Sequence, residues 1–325
     1  MGAGGPFGRR GGPNPVIART TAIVEAGGVL GEVACAPPLT LRQVQSEARD
    51  RCELRLVGTA AGPLPGDDLS VWLRLRPGAK ATLRATGASV AQGRGQEEAA
   101  ALSIRADLAD GAELVADPGA LIVCRGSRID VRVELTLGTA AAVEWRELMV
   151  LGRSGEPPGR ATLRWDVTRL GRPVLRQFLD LDLGLDHGLD HGLDLGLTAG
   201  RRVLACALIT GPAIAPRTVV ASATAVAQRI DDHTLLVTVL DDDAARATRQ
   251  LDELCAQAQA KRTSRRLGSP TAGSCPVHFC CSLEPMSRPI RSDRSMWAQI
   301  LTGCPARSGS SPAATSRRHA SSKAS

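Results

Sequence analysis

Residues 141–160 read AAVEWRELMVLGRSGEPPGR and place two carboxylates, Glu144 and Glu147, and two arginines, Arg146 and Arg153, on or beside an apolar run. Glu144, Arg146 and Glu147 interrupt a stretch in which Val143, Trp145 and Val150 favour extended backbone. Arg153 and Glu156 follow the break at Gly152, and Pro157-Pro158-Gly159 cannot continue a regular element. Charges on an apolar strand must be paired, solvated or used. In one reading, Arg146 and Arg153 pair Glu144 and Glu147 in a structural network. In the other, these carboxylates line a polar interior route or a partner surface. Asp67 and Asp68 allow the same choice, because Pro65-Gly66-Asp67 is turn chemistry. A third use is hydrolysis, for which Asp67/Asp68 or Glu144/Glu147 would have to stand about 5–9.5 Å apart across a cleft. Three Phe, four Trp and no Tyr leave little to line a sugar groove.

The other candidate groups are weaker. His187 and His191 lie in the repeat LGLDHGLDHGLDLGL, residues 183–197, beside Asp186 and Asp190. On a helix that spacing could put two imidazoles on a divalent ion. Glycine at every fourth position opposes a helix, so the segment reads as an expanded surface loop. His233 sits in the turn-like Asp231-Asp232-His233-Thr234 and reads as a solvated turn residue, not as the base of a nucleophilic triad. Cys275, His278, Cys280 and Cys281 lack zinc-finger spacing. No P-loop or H-E-x-x-H motif occurs, and Gly93-Arg94-Gly95 is an isolated loop. No residue is assigned a catalytic role.

The elements that must position these groups read as strands. Alternation is clear in residues 69–76, 129–137 and 161–167. A weak repeat of strand, tight turn and strand centres on Gly78-Ala79, Gly111-Ala112 and Gly138-Thr139-Ala140. Glycine supplies the positive φ such a turn needs, and alanine lets strands pack closely. Spacings of 33 and 27 residues suggest stacked hairpin units. The expected fold is mainly β, a layered β-helix-like stack of antiparallel hairpins, with an ordinary antiparallel sandwich as the alternative. One helix follows Asp241-Asp242-Asp243, which can cap its N-terminus, with Ala244, Ala247, Leu251, Leu254 and Cys255 at helical spacing. Residues 1–15 read as a disordered leader, 16–260 as the β domain, and 261–325 as a disordered or aberrant basic tail.

The net charge of +7 is carried by that tail, which holds 11 Lys/Arg against 2 Asp/Glu. Residues 1–260 hold 29 basic and 31 acidic residues, so no basic face for nucleic acid is expected there. Arginine outnumbers lysine 37 to 3, which reads as codon bias of a GC-rich genome. Nine scattered cysteines without a framework fit a reducing compartment. No stretch is long and apolar enough for a membrane helix, so a cytoplasmic protein with no membrane partner is expected.

Several segments together resemble one family. Glu147 to Arg153 with Gly155-Glu156 is similar to the E-x-x-x-L-G-R…G-E signature of the urease accessory protein UreD (also called UreH). Pro65-Gly66-Asp67-Asp68-Leu69…Pro77-Gly78-Ala79 resembles its G-G-D-x-L…G-A segment, and Asp117 to Ile122 its P-x-P-x-I segment. Residues 202–212 and 235–251 resemble its later strands and final helix. The likeness spans roughly residues 15–258 and rests on the order and spacing of these pieces. It implies the layered β stack and a non-catalytic role in urease maturation. The implied partners are the urease apoprotein, UreF and the GTPase UreG, with a possible dimer of the accessory complex. It also implies transient passage of Ni²⁺ through the interior, with no tightly bound cofactor. Motif-matched positions are Asp67, Asp68, Glu147, Gly152, Arg153 and Glu156, with Glu144 as a neighbour. Carboxylates release Ni²⁺ more readily than clustered imidazoles and thiolates, which suits a conduit better than a store.

Overall fold

A computed structural model describes residues 14–93, 98–181, 197–214 and 216–260. Residues 1–13 of the expected leader, most of the 183–197 loop with His187 and His191, and the tail 261–325 lie outside the described residues.

The first strands are β1 (Ile17–Glu25), β2 (Val29–Ala34), β3 (Leu39–Val44), β4 (Cys52–Gly58), β5 (Asp68–Leu75) and β6 (Lys80–Ala85). Next come β7 (Ser89–Ala91), β8 (Ala100–Leu108), β9 (Glu113–Asp117), β10 (Ala120–Val123), β11 (Arg128–Leu137) and β12 (Ala142–Leu151). The last are β13 (Arg160–Arg169), β14 (Arg172–Asp180), β15 (Val203–Thr210), β16 (Val219–Ser222), β17 (Ala225–Asp231) and β18 (Thr234–Asp241), before α1 (Ala244–Ala260). They form two sheets. One runs β14-β13-β11-β8-β5-β1-β2, and the other β16-β17-β18-β15-β12-β9-β6-β4-β3, with β10 beside β12 and β7 beside β10.

The tight turns are crossings between these sheets. The chain passes from β5 to β6, from β8 to β9 and from β11 to β12 at the three Gly/Ala turns. The two limbs of each unit bond not to each other but to the matching limbs of the neighbouring units. Thus β5, β8, β11 and β13 pair in parallel in one sheet, and β4, β6, β9 and β12 in the other. This is the layered stack, and it differs from a sandwich of antiparallel neighbours. The turns form a ladder of their own, with Gly78 N–H donating to the Asp110 carbonyl at 2.9 Å and Gly111 N–H to the Thr139 carbonyl at 2.8 Å.

The positive φ falls on Gly78 and Gly111, both at 69°, and in the third turn on Ala140 at 53° instead of the expected Gly138. Gly138 is required for a different reason. A Cβ there would lie 2.6 Å from the Asp110 carboxylate and 2.9 Å from backbone of residue 109. The next residue in every turn, Ala79, Ala112 or Ala141, is fully buried, so any larger side chain would push the stack apart.

Between the sheets lies one core built from leucine, valine and alanine, with Trp145 and Trp165 its largest side chains. Alternation puts Val143, Trp145, Glu147, Met149 and Leu151 of β12 on this inner face. The helix α1 covers the other face, against β18, β15 and β17, through Ala247, Leu251, Leu254 and Cys255. Its start is capped as the sequence predicts, with the Asp243 carboxylate accepting from Arg246 N–H at 2.7 Å. Among the described residues no helix is long and apolar enough to cross a membrane.

Candidate functional site

Strand β12 divides its charges by parity. Glu147 points inward, 7% exposed, while Glu144 and Arg146 lie on the face turned towards α1. Arg146 binds Glu144 at 2.8 Å and Asp252 of α1 at 2.5 Å. Burial opposes the charge on Arg146, but the two carboxylates outweigh it and hold the guanidinium more firmly protonated than usual. This network therefore ties the helix to the sheet. It involves Glu144 as one sequence reading foresaw, but it leaves out Glu147 and Arg153.

Glu147 has a different environment. Trp145 Nε1 donates to its Oε1 at 2.7 Å, and among the described residues that is its only hydrogen-bonding side chain. Burial pushes its carboxyl up to about 8, the indole N–H pulls it back, and Asp117 adds a smaller upward push. Cys206 of β15 stands directly opposite. Burial, with a contribution from Glu147, pushes that thiol up to about 12.

Asp67 is also buried, at 3% exposure, but both of its oxygens are engaged. They accept Val16 N–H and Leu64 N–H, each at 2.9 Å, and so fasten the segment before β1 to the turn before β5. Asp68 beside it is exposed. Asp67/Asp68 and Glu144/Glu147 are thus each split between a buried and a more exposed position, and neither pair converges as the hydrolytic reading requires.

Arg153 and Glu156 form a surface clasp on the loop after β12. Glu156 accepts from Arg153 Nε at 2.8 Å, from its Nη2 at 3.1 Å and from its backbone N–H at 3.2 Å. The guanidinium holds Glu156 down at about 2. Gly152 makes the loop possible. Its φ is 83°, and a Cβ would lie 2.6 Å from Arg202 Nη2 and 2.8 Å from the Glu156 carbonyl. His233 is an exposed turn residue whose N–H donates to Asp231 at 2.7 Å.

The structure thus places Glu147 and Asp67 inside, Glu144 under the helix, and Asp68, Arg153 and Glu156 towards the surface. Sequence reasoning missed Trp145 as the donor to Glu147, Asp252 as the helix partner of Arg146, and Cys206 opposite Glu147. Parity within residues 142–151 signals the first. The other two depend on pairings between distant segments.

The chain matches the family described as UreD urease accessory protein over residues 20–272. It is 32% identical over 230 residues to urease accessory protein UreD of Streptomyces coelicolor, covering 70% of this chain and 89% of that one. A UreD of a Parafrankia strain is 29% identical over 251 residues, covering 71% of this chain and 84% of that one. Urease accessory protein UreD 1 of Streptomyces griseus is 40% identical over 133 residues, 41% of this chain, and there the chain spans about half of the relative, 51%. With the signature of β12 and the loop after it in place, this chain belongs to the UreD family of urease accessory proteins.

Proposed function

We propose that this protein is a non-catalytic maturation factor for urease. It binds the urease apoprotein together with UreF and UreG, and it passes nickel through its interior to the forming active site. Family membership supports the maturation role. The observation that favours nickel passage is Glu147, a buried carboxylate held by one indole N–H inside an apolar stack. Burial keeps this carboxyl protonated up to about pH 8, and a passing divalent cation takes the place of that proton, which leaves to solvent. An oxygen ligand of this kind binds a borderline cation loosely enough to release it. Arg153 and Glu156 shape the outer loop and offer polar surface to a partner.

The test is reconstitution with urease subunits, UreF and UreG, reading co-purification, nickel content and urease activity. Glu147→Ala should lower nickel loading while binding persists. Arg153→Ala should lower activation through weaker assembly. Normal loading in both variants, at normal expression, removes these residues from the pathway. Failure to co-purify with any urease component overturns the function itself.

A further inference from the structure

We propose that the open edge of β14 pairs with the β14 of a second copy of this chain, across a two-fold axis at Phe178. The inference goes beyond the maturation role and does not depend on it. β14 ends its sheet, and among the described residues it pairs with β13 alone. β17 comes close to it without pairing. An unpaired strand edge is a template for another chain unless something blunts it. Pro173 and the register shift between Val167 and Thr168 blunt the first half of β14. Residues 176–180 have no proline, no lysine and no register shift.

That second half carries an aromatic ring in water. Phe178, one of three Phe in the chain, is 63% exposed. Leu175 and Leu179 lie on the other face of the strand and pack against the core. The strand is thus anchored from within and presents one large apolar side chain outward. The opposite edge of the sheet differs. β2 has Gly31 near its middle and no aromatic residue, which weakens it as a template.

Backbone geometry selects the register. Leu181 N–H donates to the Ala161 carbonyl at 2.8 Å, in line with the pairs Asp180–Thr162 and Leu179–Leu163. Odd-numbered residues here therefore bond to β13, and the N–H and C=O of Arg176, Phe178 and Asp180 turn to the open side. With Phe178 opposite Phe178 in an antiparallel pair, Arg176 of each copy faces Asp180 of the other. All of these positions are then hydrogen-bonded ones, and their side chains share a face. Sliding one copy by two residues sets Phe178 against a charged residue. Sliding it by four opposes Arg176 to Arg176 or Asp180 to Asp180.

The charges suit this register. Asp166, opposite Arg176 in β13, is held by Arg164 at 2.5 Å, so among the described residues Arg176 has no ion-pair partner. Asp180 has a contact in its own chain, and a carboxylate has room for a second donor. The two seven-stranded sheets would join edge to edge. The patch is small beside the roughly 1,200 Å² of a standard interface, so the dimer is weak, with a Kd on the order of 10 μM.

The test is sedimentation equilibrium of the full chain at concentrations on either side of that Kd. The wild type should pass from monomer to dimer. Phe178→Asp and Phe178→Ser should each weaken association about tenfold or more. Arg176→Asp should weaken it by facing carboxylates to carboxylates, and adding Asp180→Arg to that variant should restore it. Thermal melts establish that each variant is folded. A wild type that stays monomeric at about ten times that Kd overturns the pairing. So does a dimer that survives both Phe178 substitutions, or a folded double variant as weak as Arg176→Asp alone. Should the double variant melt early, the two Phe178 substitutions decide by themselves.

Discussion

Asp67 and Glu147 are both buried carboxylates, yet the fold treats them in opposite ways. Asp67 has a backbone N–H on each oxygen and joins two segments that are far apart in sequence. Glu147 has one side-chain donor and is pushed up to about 8. A carboxylate fully engaged by backbone acts as a fastener. One left half-engaged, at a cost in stability, is available for other chemistry.

The largest loss of stability should come from removing the fastener. Asp67→Ala strands two N–H groups from their anionic acceptor and should cost about 3 kcal/mol in urea unfolding. A loss below about 1 kcal/mol would erase the contrast between the two residues.

Glu147→Gln should act in the opposite direction on stability. Below the ordinary glutamate value of 4.5 the group is protonated in both states and contributes nothing. Between 4.5 and about 8 the unfolded chain ionises first. Over that window this group should lower wild-type stability by about 1.4 kcal/mol per pH unit, and above it the whole loss is in place. The variant should lack that slope and gain on the wild type as pH rises. Parallel stability–pH curves would show that Glu147 is not neutral when folded.

Arg146→Ala tests the helix-side half of the same strand. It leaves Glu144 and Asp252 facing each other and should cost about 1–2 kcal/mol, with faster amide exchange in α1. Slower or unchanged exchange would mean that apolar packing alone holds the helix. The smallest effect is expected at the third turn. Ala140→Gly relieves a positive φ but loosens the unfolded chain, for a net gain under about 1 kcal/mol in thermal melts.

Much of this was legible in the chain. Alternation in residues 69–76, 129–137 and 161–167 marks β5, β11 and β13, all in one sheet. The Asp-rich cap marks the start of α1. Other features were hidden for physical reasons. A strand–turn–strand pattern is the same whether its limbs pair with each other or with neighbouring units, so parallel stacking is not encoded locally. Ala140 takes the strained φ because Gly138 is needed where the backbone of residue 109 comes close. The opposition of Glu147 and Cys206 depends on register between β12 and β15, which are separated by β13, β14 and a low-complexity insert. The opposite faces of Glu144 and Glu147 were within reach of the sequence, since residues three apart on one strand differ in parity, yet the sequence reading kept the two as a pair.

That parity makes β12 unusually sensitive to frame. Between the arch and Gly152 the strand has a two-stroke rhythm, one beat for the interior and one for the helix. Excising a single residue ahead of Trp145 would swap the beats, driving Arg146 into the leucine-rich centre and casting Glu147 out beneath α1. Many point substitutions here should be survivable, whereas a one-codon deletion should be ruinous.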